Sequence, residues 1–359
     1  MIDILLFEVT QPIGTFYYGK ISSNDLLKFS FPSPRDSSGG IQRRLRQERL
    51  KEISIYCTDP DATFPTPIIL SIEEELNSKL VDVGNGMYRY SIDFESNAIK
   101  AEILDGQHRL KGIQMSGKNI ELPIVIMFNL TNEEKAYVFS TINSNQQKVD
   151  KSLIYDLFDL SRTRSPYKTC HELARLFNSK DGSPFYGRLK MLEKRDNKMQ
   201  SLSQGTFVRY VSSLISDSPQ KDYIDIKNGI KLENNKPSCP LRYYFVNNQD
   251  EVIYLVLSNC FTALKNIFPS EWDNPDSYIL TKTVGFGAVI KFLKRNLKTI
   301  ISEDRDLSLG FFESVFKSLK KTLFDKQMSL SSDFFVSGES NEEELAKIIE
   351  EAYLTRDFS

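Results

Sequence analysis

The chain has little of what the commonest metal and hydrolytic chemistries need. Two histidines, His108 and His171, are too few for a histidine-rich metal site and argue against most histidine-based triads. The four cysteines, Cys57, Cys170, Cys239 and Cys260, stand far apart with no CxxC pair, which excludes zinc-finger spacing and a disulfide framework. Scattered thiols in a chain of this length fit a reducing cytoplasm, the expected location. No apolar run approaches the length of a membrane span, so no membrane association is expected. The first residues, MIDILLFEVTQPIG, lack a basic region and a small-residue cleavage site and do not read as a signal peptide. Neither sign of charge is in excess: 46 Lys and Arg face 48 Asp and Glu, for a net charge of −2. That excludes a polycation that coats nucleic acid, but not a local basic face.

What is present is an ordinary globular balance, 40% hydrophobic and 26% charged over 359 residues. The length suggests two domains, or one large one with an appendage. The first part mixes strand and helix. Ile2–Val9 and Gly14–Tyr18 read as strands, and Ser22–Leu27 as a helical turn or two. FPSPRDSSGG, Phe31–Gly40, reads as a loop. Ile41–Tyr56 reads as an amphipathic helix with Ile41, Leu45, Leu50, Ile53 and Ile55 on one side and arginines on the other. Pro67–Ile72, Met87–Phe94 after the Asn85–Gly86 turn, Ala98–Leu104 and Leu122–Phe128 read as strands. Thr131-Asn132-Glu133-Glu134 is a capping-box pattern that opens a helix to about Ile142.

From Asp150 onward the pattern is mainly helical: Ser152–Leu160, Cys170–Asn178, Thr206–Ile215, Ile253–Ile267, Thr283–Leu297, Leu309–Leu323 and Glu342–Tyr353. The expectation is an α+β protein: an α/β domain over 1–149 and a mostly helical domain over 150–359.

One segment carries chemistry: ILDGQHRLKGI, Ile103–Ile113, where a strand delivers Asp105–Gly106 and a helix starts at once. A glycine without Cβ lets a ligand approach the backbone, and the first helical amides carry partial positive charge. Phosphate binds such ends. His108 and Arg109 add donors there, Arg109 in a form able to grip phosphate with two bonds. Asp105 can cap the helix or hold a Mg²⁺ that accompanies a nucleotide. The plainer reading is a common Asp-Gly turn with a solvated arginine behind it.

DGQHR, Asp105–Arg109, resembles the signature of the DGQHR-domain family, part of the wider group with the ParB and sulfiredoxin fold. The resemblance extends to GIQRRL at Gly40–Leu45, the proline-rich turn and PIILSI strand, LPIVIMF, and FSTINSNQQKVDKSLIYDL beginning at Phe139. SPFYGRLKM at Ser183–Met191 and SLSQGTFV at Ser201–Val208 continue it. It covers roughly residues 40–210 and implies a ParB/sulfiredoxin-like first domain that binds a nucleotide, ATP or another NTP, with Mg²⁺. Sulfiredoxin has a catalytic Cys where this chain has Gln107, so sulfiredoxin-type thiol chemistry is not expected.

Members of this size resemble DndB and DpdB, which accompany DNA-modification and defence systems. DpdB-like members are linked to ATP hydrolysis and 7-deazaguanine insertion. DndB-like members are linked to DNA phosphorothioation and control of its genes. The resemblance therefore implies DNA or a DNA-modification enzyme as partner and leaves an oligomer open. On the NTP-hydrolysing reading, Asp105, His108 and Arg109 are the expected catalytic residues, with Asp105 also the metal ligand, and Gly106 and Gln107 are expected to bind the nucleotide.

A second cluster, Asn143, Asn145, Gln146 and Lys148, occupies the place of a ParB element that contacts phosphate and metal; the plainer reading is a polar helix end. A third is Arg43 and Arg44. They open a stretch, Ile41–Glu52, with five positive residues against two glutamates, and read either as phosphate contacts or as an exposed helix face. The basic stretch Arg188, Lys190, Lys194, Arg195 and Lys198 is expected to be a solvated loop, His171 a packing or capping residue, and Cys260 core. Trp272 has no assigned role, and Glu342–Glu351 is expected to be a solvated face.

Three functions compete: an NTP-hydrolysing accessory protein of a DNA-modification system, a non-enzymatic DNA-binding regulator, and a nuclease. The nuclease is disfavoured because no dense Asp/Glu/His cluster surrounds the motif. No clear helix-turn-helix or zinc module supports the regulator.

Overall fold

The computed structural model describes residues 2–32, 45–73, 80–93, 101–144, 163–191, 197–302 and 307–356. The chain forms two compact units, residues 1–148 and 149–359.

The first unit is built on an eight-stranded mixed sheet. Its strands are β1 (Ile2–Gln11), β2 (Gly14–Ser22), β3 (Ser30–Pro32), β4 (Ile68–Ile72), β5 (Leu80–Gly84), β6 (Met87–Ile92), β7 (Ala101–Asp105) and β8 (Glu121–Phe128). They lie in the order β3-β7-β4-β8-β2-β1-β6-β5. β4 runs parallel to β8, and β3 to β7; the other pairings are antiparallel.

Side chains alternate across the sheet. Ile68, Leu70 and Ile72 of β4 join Ala101 and Ile103 of β7 and Ile124 and Ile126 of β8 in one core. Over that core lie α1 (Ser23–Phe29) and α3 (Gln107–Ser116), through Leu26, Phe29, Leu110 and Ile113. α2 (Gln47–Tyr56) packs on α3 so closely that a Cβ at Gly112 would sit 2.5 Å from an Ile53 methyl. Asn85 and Gly86, at φ +58° and +70°, make the tight β5–β6 turn. The last helix here is α4 (Asn132–Ser144).

Two expectations change. The loop expected from Phe31 begins later, because Ser30–Pro32 pair with Ala101–Ile103 as an edge strand; residues 33–40 lie outside the described set. The helix expected from Ile41 begins at Gln47. Arg46 is extended, at φ −96° and ψ 115°, and its amide is taken by the His108 ring, which starts the helical ladder one residue on.

Among its described residues the second unit has helices and one two-residue strand pair, β9 (Leu189–Lys190) with β10 (Leu202–Ser203). Its helices are α5 (Pro166–Ser179), α6 (Gln204–Ser212), α7 (Pro219–Lys227), α8 (Arg242–Val246), α9 (Asp250–Ile267), α10 (Pro269–Asp273), α11 (Thr283–Ser302), α12 (Leu309–Asp325) and α13 (Glu339–Thr355). Ser165, Ser203 and Ser308 cap α5, α6 and α12. The centre is aromatic: Phe185 and Phe286 meet Phe207, and Phe261 stacks on Phe286 at 5.1 Å.

Trp272 is fully buried in this cluster, 5.2 Å from Phe185, so its role is packing. Cys260 and His171 are also buried, the latter beside Gln204. The expected helix over Ser152–Leu160 lies outside the described residues, as do Lys194 and Arg195. Arg188 is not solvated: it pairs with Asp273 and reaches the Trp272 carbonyl. Nor is Glu342 solvated. It is buried, accepts from the Tyr210 hydroxyl at 2.6 Å, and lies 3.4 Å from Lys291. No helix among the described residues is long and apolar enough to cross a membrane.

Asp222 and Arg242, both buried, are joined by bonds of 2.6 and 3.0 Å. Asp222→Ala leaves the guanidinium without its counter-charge. We expect a loss of about 3–5 kcal/mol in denaturant unfolding. A loss below about 1 kcal/mol would show that the pair is dispensable.

Candidate functional site

The turn between β7 and α3 is shaped by Gly106. Its backbone is left-handed, φ +95° and ψ 9°, and a Cβ would overlap the Ile68 methyl at the start of β4. Both conditions demand glycine. The Gly106 carbonyl accepts from Leu110 at 3.0 Å and opens the helix. With no side chain at Gly106 to cap them, the first amides of α3 form the positive end expected of a helix start. Gln107 is buried at this end.

Arg109 is turned back into the protein. Its Nη1 donates to the Thr66 carbonyl and, at 3.2 Å, to the Pro67 carbonyl, and its Nη2 lies 3.8 Å from the Asp105 carboxylate. Burial pulls the Arg109 pKa below its ordinary value, and Asp105 acts against that pull. Arginine remains charged even so. In this arrangement Arg109 ties α3 to the chain just ahead of β4.

His108 faces α2. Its Nε2 accepts the Arg46 amide at 3.1 Å, which places the ring proton of the neutral form on Nδ1. Burial first, then Arg49 and Arg46, push its pKa below the usual histidine value; Asp105 opposes them.

The remaining expected residues divide by position. Arg43, Arg44, Asn145, Gln146 and Lys148 lie outside the described residues, and Asn143 is described in its backbone only, in the last turn of α4. α4 starts as expected, with Thr131 Oγ1 accepting from the Glu134 amide at 3.3 Å and Glu134 accepting from the Thr131 amide at 2.8 Å. The end of α4 stands close to Asp105 through one intermediary. Thr141 and Ile142 line a groove whose wall includes Ile69, and Ile69 is the strand partner of Asp105.

One residue was missed. Lys135 of α4 is buried between Glu102 of β7, at 3.0 Å, and Glu73, at 2.8 Å, and clamps α4 to the sheet. Its sequence signal was its place three and four residues before Val138 and Phe139, on the helix side that faces inward.

Among the described residues no group of three His, Cys, Asp or Glu side chains could hold a metal. Asp105 is a single carboxylate near Arg109. One carboxylate would suffice for a Mg²⁺ that a bound phosphate carries, since phosphate and water supply most of its ligands.

Gly106→Ala is expected to cost about 1–3 kcal/mol through the left-handed backbone and the overlap with Ile68; an unchanged melting temperature would contradict this. The depressed His108 pKa gives a second prediction. Above the unfolded value of 6.5 the ring is neutral in both states and its contribution to stability is complete. As pH falls below that value, the unfolded chain takes up the proton first and stability declines toward the lower folded pKa. Melting curves from pH 7.5 to 5.5 should show that decline shrink in His108→Ala.

Residues 16–226 match the DndB family, described as DNA-sulfur modification-associated. A solved structure, the C-terminally truncated chromosome-partitioning protein ParB from Caulobacter crescentus complexed with CTP-gamma-S, aligns with 67% of this chain and 91% of its own. The identity is 11% and the TM-score 0.27, a likeness too slight to carry an argument. No curated protein matches the chain.

Proposed function

The chain belongs to the DndB family of DNA-sulfur-modification-associated proteins, and from that premise we propose that it serves DNA phosphorothioation as an NTP-binding and NTP-hydrolysing accessory protein. The observation that carries the reading is the Gly106 turn, a left-handed glycine that opens a helix beside an arginine and a carboxylate. The amides of the first α3 turn receive phosphate oxygens. Arg109 supplies charge where the transferring group becomes more negative. It has five N–H donors in a fixed fork, so it can turn part of that fork to phosphate while Nη1 keeps the Thr66 and Pro67 carbonyls.

His108 offers its Nδ1 proton. Asp105 holds Mg²⁺ or positions water; the ion, when bound, neutralises phosphate charge. Gln107, Arg43, Arg44, Asn143, Asn145, Gln146 and Lys148 are proposed as further nucleotide contacts on their sequence positions alone. Its four cysteines are free and buried, which suits work in the cytoplasm on DNA or beside a DNA-modification enzyme.

Binding and turnover of ATP and CTP in wild type, Arg109→Ala and Arg109→Lys test the proposal. Loss of a charge-assisted bond should weaken binding about 10- to 100-fold in Arg109→Ala, with partial recovery in Arg109→Lys. Melting curves separate this from the structural tie to Thr66. Equal turnover in wild type and Arg109→Ala overturns it.

A second reading compatible with the family description is a DNA-binding regulator of a sulfur-modification gene cluster. Duplex retardation whose affinity falls steeply with salt supports it; no retardation at low salt removes it.

A further inference from the structure

On the face of the first sheet opposite its core lies a groove of about 470 Å³ between α4, β4, β8, β2 and the tip of the β1–β2 hairpin. Its walls are apolar: Ile13, Phe16, Ile69, Val125, Met127 and Val138 all contribute. Tyr137, on its rim, is 62% exposed. Gln11 is the one side-chain amide in the lining. Size, apolar walls and few polar groups are the marks of a small-molecule site.

Position indicates the ligand. Ile69 is paired across the ladder with Asp105, so one strand spacing, about 4.8 Å, separates the groove wall from the strand that ends in the Gly106 turn. A ligand with phosphates at that turn crosses the end of β4 to bring its other end into the groove. The groove would take a flat, weakly polar group there, held against Tyr137 and Phe16.

We infer that this groove is the base-binding subsite: the heterocycle of a nucleoside triphosphate lies against Tyr137, with Gln11 at its polar edge, while the phosphates occupy the Gly106 turn. This rests on the nucleotide reading above.

The test measures binding of ATP, CTP and inorganic triphosphate to the full chain by calorimetry. Two variants act on the groove alone: Tyr137→Ala removes an exposed ring, and Val138→Trp fills the space. Wild type should bind NTP more tightly than inorganic triphosphate. Tyr137→Ala should weaken NTP binding about 5- to 150-fold, the range of base–aromatic stacking, and Val138→Trp should weaken it likewise. Triphosphate binding should stay unchanged in both, which also shows that both variants are folded. NTP affinities equal to wild type in both variants overturn the groove assignment and leave the phosphate turn standing. So does wild type binding NTP and triphosphate equally. Wild type binding neither overturns the nucleotide reading and the groove with it.

Discussion

At Gly106 the chain passes from strand to helix with a positive φ, and a Cβ there has no space beside Ile68. The features of the first unit that bear on function descend from that point. Ile68 belongs to the core that β4 shares with β7 and β8, so the turn is as fixed as the core it presses on. The helix that follows brings His108 to the amide of Arg46 and Arg109 to the carbonyls of Thr66 and Pro67. Gly106, His108 and Arg109 thus fasten α2, α3 and the lead-in to β4 to the end of one strand. A site whose backbone is held this way loses little freedom when an anion arrives, which is the general condition for tight binding at a helix start.

The charge balance resolves in a different way from the one the sequence suggests. The sequence places positive charge in Ile41–Glu52 and reads Glu342–Glu351 as a solvated face. In the structure the acidic helix is matched within its own unit. Glu343 pairs with Arg295, Glu350 lies 3.5 Å from Arg295, and Glu342 sits with Lys291 and Tyr210. The carboxylates of α13 therefore do local work, fastening that helix to α11.

Long helices were legible because their apolar period is strong: α9, α11 and α12 bury the residues that the pattern marks as inward. So were β1, β2, β4, β6 and β8, through alternation or β-branched runs. β5 was not legible, since Leu80–Gly84 sits at the sheet edge with its valines largely exposed and no polar alternation to mark a face. At the site, the strand, the glycine and the helix start could all be read from DGQHR. The directions of the side chains could not. Arg109 looked like a solvated cation or a phosphate ligand because its partners are main-chain carbonyls, and carbonyls leave no trace in composition. Lys135 escaped for the converse reason: its partners, Glu73 and Glu102, are distant in sequence and meet it only once α4 lies across the sheet.

The same tie decides how Arg109 can serve a ligand. A guanidinium in water reaches phosphate only after giving up rotamer freedom and hydration. Arg109 has given up both already, because folding buries it and anchors Nη1 on two carbonyls. Among the described residues its carboxylate partner is Asp105, whose oxygen stands at 3.8 Å, outside hydrogen-bond range. A buried cation with main-chain partners and a loosely held counter-ion is stabilised by any anion that approaches the turn.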